Sequence, residues 1–308
     1  MNAPLTVCLA VCLTAGALTF AGCSSETSAG AAPSELRFSV LPDFHKTETD
    51  ANAEQLARVL TAKLGMPVRY VAANSYPGAV DNLLSNKVDF VWLGGKTTCD
   101  AIDAGDGHVH VLATRDIDLA FKSYFIANAR SIAAGKVGPM QDLAELGAKT
   151  KDLVFTFGDR SSTSGHLMPR YFLMQAGIDP NADFASMGYQ LAGGHGATLA
   201  AVASGAADLG ALNYGHYDGA EPTTRAAAPI VWTSPEYVDY AWVGHDRVGG
   251  DVLARITAAF TGLDPSRPED AAILATWSVK QRFLPAQDSQ WDSIRKVRDS
   301  LPKNFWDR

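Results

Sequence analysis

Residues 153–169 read Leu-Val-Phe-Thr-Phe-Gly-Asp-Arg-Ser-Ser-Thr-Ser-Gly-His-Leu-Met-Pro, with four consecutive hydroxyl side chains near the centre. The apolar run 153–157 predicts a buried strand, and apolar residues recur at helical spacing from Leu167 to Met174. The hydroxyl cluster therefore lies where a strand passes into a helix N-terminus. One hydroxyl is enough to cap a helix, whereas a row of them beside free backbone N–H groups suits an oxyanion. We interpret residues 161–165 as an anion-binding loop.

The rest of the chain repeats one strand–helix pattern. The first half predicts strands at 36–41, 68–72 and 88–92, with a loop at 42–50 before a helix that ends at Leu64. The second half predicts strands in the same order, at 153–157, 184–188 and 207–212. This duplication indicates an α/β protein with two lobes of equivalent topology, each on a mixed, mostly parallel sheet.

Two extended segments lie where the chain would leave one lobe and return to it. Residues 122–128 and 240–245 are rich in aromatic and β-branched residues, and we predict that they form two crossing hinge strands. The helical pattern after them returns the chain to the first lobe. We therefore expect lobe 1 at 35–122 and 245–308, and lobe 2, with the hinge strands, at 123–244.

The amino terminus carries an export pattern. Residues 6–22 form an apolar run too short for a comfortable membrane span, and a polar stretch without periodicity follows. Ala21-Gly22-Cys23 resembles the lipobox of bacterial lipoproteins, although Phe20 replaces the usual Leu and no Lys or Arg precedes the run. We expect a signal peptide at 1–22, a flexible tether at 23–34 and lipidation of Cys23 on the outer side of the cell membrane. An uncleaved single-pass anchor is the alternative.

Composition limits the class of protein. The chain has 308 residues, 47% hydrophobic and 19% charged, with a net charge of −7. Such a composition is typical of a soluble globular protein, and the acidic balance argues against a nucleic-acid partner. Beyond Cys23 only Cys99 remains, so the body cannot close an internal disulfide. We expect a monomer.

The predicted ligand site lies between the lobes. In open α/β sheets a ligand binds beyond the carboxyl ends of the strands, and duplication makes four such loops face one another, at 43–49, 74–78, 160–165 and 193–197. Segments 92–97 and 213–217 continue into the same opening. The candidate ligand-binding residues are Asp43, Thr47, Tyr76, Trp92, Gly95, Lys96, Ser161, Ser162, Thr163, Ser164, Gly165, His195, Asn213 and Tyr214.

Some of these candidates have structural alternatives. His195 could be an exposed loop histidine, Tyr76 could cover the edge of the core, and Lys96 could be solvated. The side chains of Trp92, Asn213 and Tyr214 could equally be wall packing.

Enzyme motifs do not fit. Gly95-Lys96-Thr97 has Phe90 where a phosphate-binding loop needs glycine, and Ser164 lacks the preceding glycine of a nucleophile elbow. We predict a binding protein that is not an enzyme, without a cofactor or metal.

Four segments together resemble a known family. Residues 156–173, 88–95, 125–128 and 194–198 are similar to the phosphate/phosphite/phosphonate-binding receptors of ABC importers, and within them to the branch labelled putative selenate-binding. The resemblance covers nearly the whole chain from Glu35. It implies a type II periplasmic-binding-protein fold that closes on a small tetrahedral oxyanion and delivers it to an ABC permease and ATPase.

The resemblance also implies roles for individual residues. Ser161, Thr163, Ser164 and Gly165 match the oxyanion-gripping loop of the family, and Tyr76 and His195 match its aromatic and histidine positions. Where phosphonate receptors often carry an aromatic residue after the third strand, this chain has Lys-Thr-Thr-Cys at 96–99. That departure disfavours an aminoalkylphosphonate and favours a compact anion.

A sensory role is the alternative function. The same fold serves receptors that signal to a histidine kinase, with relatives for arsenite. Cys99, if it faced the cleft, would be a soft ligand for arsenite or selenite, whereas a buried small residue is the structural alternative. The residues leave open which oxyanion binds, and whether the protein serves import or sensing.

Overall fold

The structure is a computed structural model that describes Met1 and residues 33–43, 46–191 and 194–302. The predicted signal peptide beyond Met1, Cys23 and the tether up to residue 32 lie outside the described residues. Eleven strands are described, β1 to β11, at Leu36–Val40, Val68–Tyr70, Phe90–Leu93, Val109–Arg115, Ser123–Ala127, Val154–Phe157, Ser186–Tyr189, Leu209–Asn213, Ile230–Thr233, Ala241–His245 and Phe283–Pro285. Helices α1 to α11 lie at Lys46–Leu64, Tyr76–Leu84, Gly95–Ala104, Ala129–Ala133, Met168–Gln175, Gly194–Ser204, Tyr214–Asp218, Pro222–Ala227, Gly250–Thr261, Pro268–Thr276 and Asp292–Ser300.

The strands form two sheets. The first has the order β11-β4-β10-β3-β1-β2 and the second the order β7-β6-β8-β5-β9. In the first sheet β1 pairs in parallel with β2 and β3, and in the second sheet β6 pairs in parallel with β7 and β8. The equivalent pairing confirms the duplication read from the sequence.

Parallel pairing is limited to this strand–helix part of each sheet. The pairs that β10 makes with β3 and β4, and those that β5 makes with β8 and β9, are antiparallel. The sheets are therefore mixed rather than mostly parallel, because each crossing strand enters its sheet against the direction of the strand–helix units.

One crossing strand belongs to a different sheet from the one expected. Strand β10 pairs with β3 and β4, so residues 241–244 lie in the first sheet and not in the second lobe, to which the sequence pattern assigned them. The chain crosses between the sheets at 121–123 and again at 234–240, where Phe121 and Tyr237 form an isolated antiparallel bridge.

Helix α1 begins earlier than predicted. It starts at Lys46, so Thr47 lies in its first turn and not in a loop, and its side chain is exposed. Polar residues and Glu48 suit a helix N-terminus as well as a loop, which is why apolar spacing alone placed the start too late. Strand β7 likewise begins two residues later than predicted, at Ser186.

Separate apolar clusters cover the two sheets. The first surrounds the first sheet, where Trp242 of β10 stacks on Phe260 of α9 with ring centroids 4.6 Å apart. The second sheet has one cluster around Phe155 and another around Val202. The carboxyl ends of β1, β3, β6 and β8 carry the loops discussed below. No helix in the described part of the chain has the length and apolar character to cross a membrane.

Candidate functional site

The loop after β6 forms a single π-helical turn, Thr163–Leu167, that leads directly into α5. Ser162 caps this turn, because its Oγ accepts a hydrogen bond from the Gly165 N–H at 3.0 Å. The N–H of Gly158 donates to the Gly165 carbonyl at 2.8 Å and ties the loop to β6. Capping therefore accounts for Ser162. It does not account for Ser164, whose buried Oγ lies within reach of the Tyr237 hydroxyl but makes no hydrogen bond of good geometry within the described residues.

His195 lies against this loop. It begins α6, is 1% exposed, and a Cβ atom at Gly165 would lie 3.2 Å from its Cε1. Burial lowers the pKa of His195 to about 4, so the ring is neutral at physiological pH. Its Nδ1 accepts a hydrogen bond from the Asn213 N–H at 3.4 Å, which places the ring proton on Nε2. That Nε2–H has no partner within the described part of the chain.

The first sheet supplies two side chains to the same region. Tyr76, at the start of α2, is buried and hydrogen-bonded to both Asp43 and Ser162, which joins the two sheets. Asp43 follows β1, and burial raises the pKa of its carboxyl. Its Oδ1 has no described partner. Tyr76 also belongs to the apolar cluster of the first sheet, so it covers the core as well.

The start of α3 completes the arrangement. The Lys96 N–H donates to Thr163 Oγ1 at 2.9 Å, and the Gly95 N–H donates to Asp239 Oδ1 at 2.7 Å. Asp239 lies on the second crossing segment and is fully buried, and burial raises the pKa of its carboxyl to about 8. Helix α3 of the first sheet, the anion loop of the second sheet and the crossing segment thus meet at one point.

The sequence pattern of anion donors in loops does not point to Asp239, because Asp239 is a carboxylate on the crossing segment. A signal was present. Asp239 is the one charged residue in the aromatic and apolar run Tyr-Val-Asp-Tyr-Ala-Trp at 237–242. A charge in such a run is rarely buried without a partner or a role.

Other candidates have structural roles. Trp92 stacks on Tyr240 with ring centroids 5.5 Å apart, and Tyr214 packs edge-on against Phe121 at 4.8 Å. Asn213 caps α7, with its Oδ1 accepting from the Gly215 N–H at 2.7 Å, and its Nδ2 donates to Tyr240 Oη at 3.3 Å.

Two further candidates lie at the edge of the arrangement. Lys96 Nζ pairs with Asp100 at 2.7 Å, so Lys96 approaches the anion loop through its backbone. Ser161, half-buried, donates its N–H to Asp159 Oδ1 at 2.7 Å.

Cys99 does not offer a thiol to a ligand. It is fully buried in the first apolar cluster, and its Sγ contacts the Trp291 carbonyl at 3.6 Å. Burial raises the pKa of the thiol to about 12, so the thiolate that would bind a soft anion is absent at physiological pH. The hypothesis of a thiol ligand for arsenite or selenite is wrong.

Comparison with known proteins identifies the family. The profile described as "ABC transporter, phosphonate, periplasmic substrate-binding protein" matches residues 38–291. The chain is 32% identical over 278 residues to the probable ABC transporter phosphite binding protein PhnD1 of Prochlorococcus marinus, covering 88% of this chain and 91% of that protein. It is 28% identical over 241 residues to the phosphonates-binding periplasmic protein of Escherichia coli, covering 76% and 67%.

A solved structure matches the fold as well. The structure of Prochlorococcus marinus PhnD1 in complex with methylphosphonate superposes with a TM-score of 0.80 at 32% identity, covering 87% of this chain and 98% of that one. The two-sheet architecture is therefore that of a type II periplasmic binding protein. The chain belongs to the family of periplasmic phosphonate-binding proteins of ABC transporters, which are extracytoplasmic substrate-binding components and not enzymes.

Proposed function

We propose that this protein captures phosphite or a small phosphonate in the gap between its two sheets and presents the anion to an ABC importer. The relatives named for phosphite and phosphonates, and the relative solved with methylphosphonate, support this ligand class. The permease and the ATPase of the importer are the corresponding partners.

One observation carries the proposal. Four buried polar atoms without a described partner come from both sides of the gap and from the crossing segment: Ser164 Oγ, His195 Nε2, Asp43 Oδ1 and Asp239 Oδ2. Leaving such atoms unpaired costs about 1–3 kcal/mol each, so buried polar groups are normally satisfied by protein, water or ligand. A tetrahedral anion bound at the anion loop would accept from Ser164 and His195.

The two carboxyl groups differ in what they ask of the anion. An ionised carboxylate can contact an oxyanion only if a proton lies between them, and monoanions of phosphite and phosphonates carry such a proton. Selenate and sulfate do not carry one at neutral pH. We therefore expect Asp43, when ionised, to disfavour selenate, the ligand named for the branch that the sequence resembles, whereas Asp239, whose pKa burial raises to about 8, brings its own proton and can donate to either kind of anion.

We propose that binding closes a hinge. Lobe 1 then comprises 35–122 and 241–308 and lobe 2 comprises 123–240, with the hinge at the two crossing segments. The Lys96–Thr163 and Tyr76–Ser162 hydrogen bonds are contacts that opening would break. A ligand that touches both lobes stabilises only the closed form.

We further propose a monomeric receptor held at the membrane by a lipid on Cys23. Metabolic labelling with a fatty acid tests the anchor: label is expected on the wild-type chain and is expected to disappear in Cys23→Ser. Equal labelling of both chains, or release of the wild-type chain without detergent, contradicts it.

Calorimetric titration tests the ligand class. Phosphite and methylphosphonate are expected to bind with dissociation constants of about 10 μM or tighter, which is roughly −7 kcal/mol, and sulfate and selenate about 100-fold more weakly. Selenate binding as tight as phosphite would contradict the assignment, and so would the absence of heat with every phosphorus oxyanion tested.

A further inference from the structure

A second cavity adjoins the proposed anion site on the side of the first sheet. It has a volume of about 60 Å³ and lies between the loop after β1, helix α1 and the turn that follows α10. Three of its lining residues, Asp43, Asn213 and Tyr240, are connected to the anion site. Asp43 is hydrogen-bonded to Tyr76, and the Asn213 N–H donates to His195. The cavity therefore adjoins the anion site through Asp43 and Asn213.

The cavity collects unpaired polar atoms. Asp43 Oδ1, Thr49 Oγ1 and Trp277 Nε1 are buried, line the cavity and have no described partner. Asp43 is 4% exposed and Thr49 is 8% exposed, so bulk water does not satisfy them. Buried polar groups in native proteins are normally paired, so three unpaired groups at one small cavity call for a polar partner. They indicate a built site for a polar group.

The charge around the cavity is balanced. Arg115 lines it, but its Nε and Nη2 donate to Asp118 at 2.7 Å and its Nη1 donates to the Trp277 carbonyl at 2.9 Å. The guanidinium also lies over the Trp92 ring at 5.2 Å and the Tyr240 ring at 5.1 Å. It cannot turn to grip a ligand, and Asp118 balances its charge.

We infer that this cavity receives a short, hydroxyl-bearing substituent on the phosphorus, so that the preferred substrates are hydroxyalkylphosphonates. The inference rests on the proposed function. A hydroxyl can donate to Asp43 Oδ1 and accept from Trp277 Nε1–H, whereas an ammonium can only donate and would leave Trp277 Nε1–H unpaired. A substituent of two or three heavy atoms fills the volume, since a water molecule occupies about 30 Å³ in the liquid.

Three ligands with the same two-carbon chain on the phosphorus test the inference on the purified full chain by calorimetry. We expect 2-hydroxyethylphosphonate to bind at least about tenfold more tightly than ethylphosphonate, because ethylphosphonate would bury the orphaned groups without pairing them. We expect 2-aminoethylphosphonate to bind more weakly than the hydroxyl ligand. Equal or tighter binding of ethylphosphonate overturns the inference, and tightest binding of 2-aminoethylphosphonate overturns the choice of a hydroxyl.

Variants locate the effect. In Thr49→Val and in Trp277→Phe the preference for 2-hydroxyethylphosphonate over ethylphosphonate is expected to fall below about threefold. Thr257→Val makes the same exchange on α9, away from the cavity lining, and should keep the wild-type preference. A preference that survives both cavity variants contradicts the site, and the wild-type ligand series decides the question if a variant does not fold.

Methylphosphonate separates the two proposals. If the wild-type chain binds methylphosphonate but does not discriminate among the three longer ligands, the cavity inference fails and the proposed function stands. If neither phosphite nor any of the phosphonates binds, both fail.

Discussion

Single residues set the chemistry of the gap through burial. His195 stays neutral because a charged imidazole would be desolvated, and its hydrogen bond from Asn213 directs the remaining proton toward the anion loop. Asp239 holds its proton to about pH 8 for the same reason. Both groups can therefore donate a hydrogen bond to an oxyanion at neutral pH.

Asp239 should make stability depend on pH in a defined direction. Its folded-state pKa is about 8 and lies above the ordinary value of 3.8, so the folded state binds the proton more tightly. The stabilisation that the folded state gains from this proton is fully present below about pH 4. It is lost as pH rises to about 8, at up to about 1.4 kcal/mol per pH unit. In urea unfolding without ligand, the free energy of unfolding of Asp239→Asn should therefore rise relative to that of the wild type between pH 4 and 8. A pH-independent difference would contradict the burial of an ionisable group.

Two serines of the anion loop should respond oppositely to removal of the hydroxyl. Ser164→Ala removes an unpaired buried hydroxyl, so methylphosphonate affinity should fall about 10- to 100-fold while the ligand-free free energy of unfolding stays equal or rises slightly. Ser162→Ala removes a cap and should lower the free energy of unfolding by about 1 kcal/mol. Calorimetry and urea unfolding of both variants check this. Unchanged affinity in Ser164→Ala would remove Ser164 from the ligand site.

At the level of elements, the strands and helices that could be predicted are those whose signal is local. Periodicity located the strand–helix units, and Gly65 and Gly177, both at positive φ, mark the ends of α1 and α5. Which sheet β10 joins could not be predicted from the sequence. An apolar extended segment pairs equally well with either sheet, and its partners are distant in sequence.

The start of α6 should be a sensitive point. Gly194 has φ +57°, and a Cβ atom there would overlap the Asp43 carbonyl. Gly194→Ala should therefore block the approach of the first lobe and lower methylphosphonate affinity at least about 100-fold. The positive φ should add a backbone strain of about 1 kcal/mol that lowers the free energy of unfolding. Gly177→Ala is the matched control, since Gly177 has φ +77° with nothing within 4 Å of an added Cβ. It should show the backbone strain without the loss of methylphosphonate affinity. Equal affinities in the two variants would contradict the contact.

At the scale of the whole molecule, the duplication predicted which loops would meet but not every residue at the meeting point. The anion loop, Tyr76 and His195 were found because each opens a helix after a parallel strand. Asp239 could not be found by that rule, since it lies on a crossing segment whose path depends on both sheets. Tyr214 followed the rule and packs against Phe121, while Trp92 both stacks on Tyr240 and lines the cavity beside the anion site, because aromatic rings also cover the core next to a site.

Hinge closure predicts a change in the size of the molecule. Small-angle scattering should show a smaller radius of gyration with saturating methylphosphonate than without it, because only the closed form joins Lys96 to Thr163. Thr163→Val removes that contact and should reduce the change. Superimposable curves for the wild type with and without ligand would contradict the closure mechanism.

The position of the phosphorus atom tests the central claim most directly. In a crystal structure of the protein grown with methylphosphonate, the phosphorus is expected between the sheets, with its oxygens within about 3 Å of Ser164 Oγ and His195 Nε2. A methylphosphonate bound elsewhere, with both atoms still unpaired, would contradict the account.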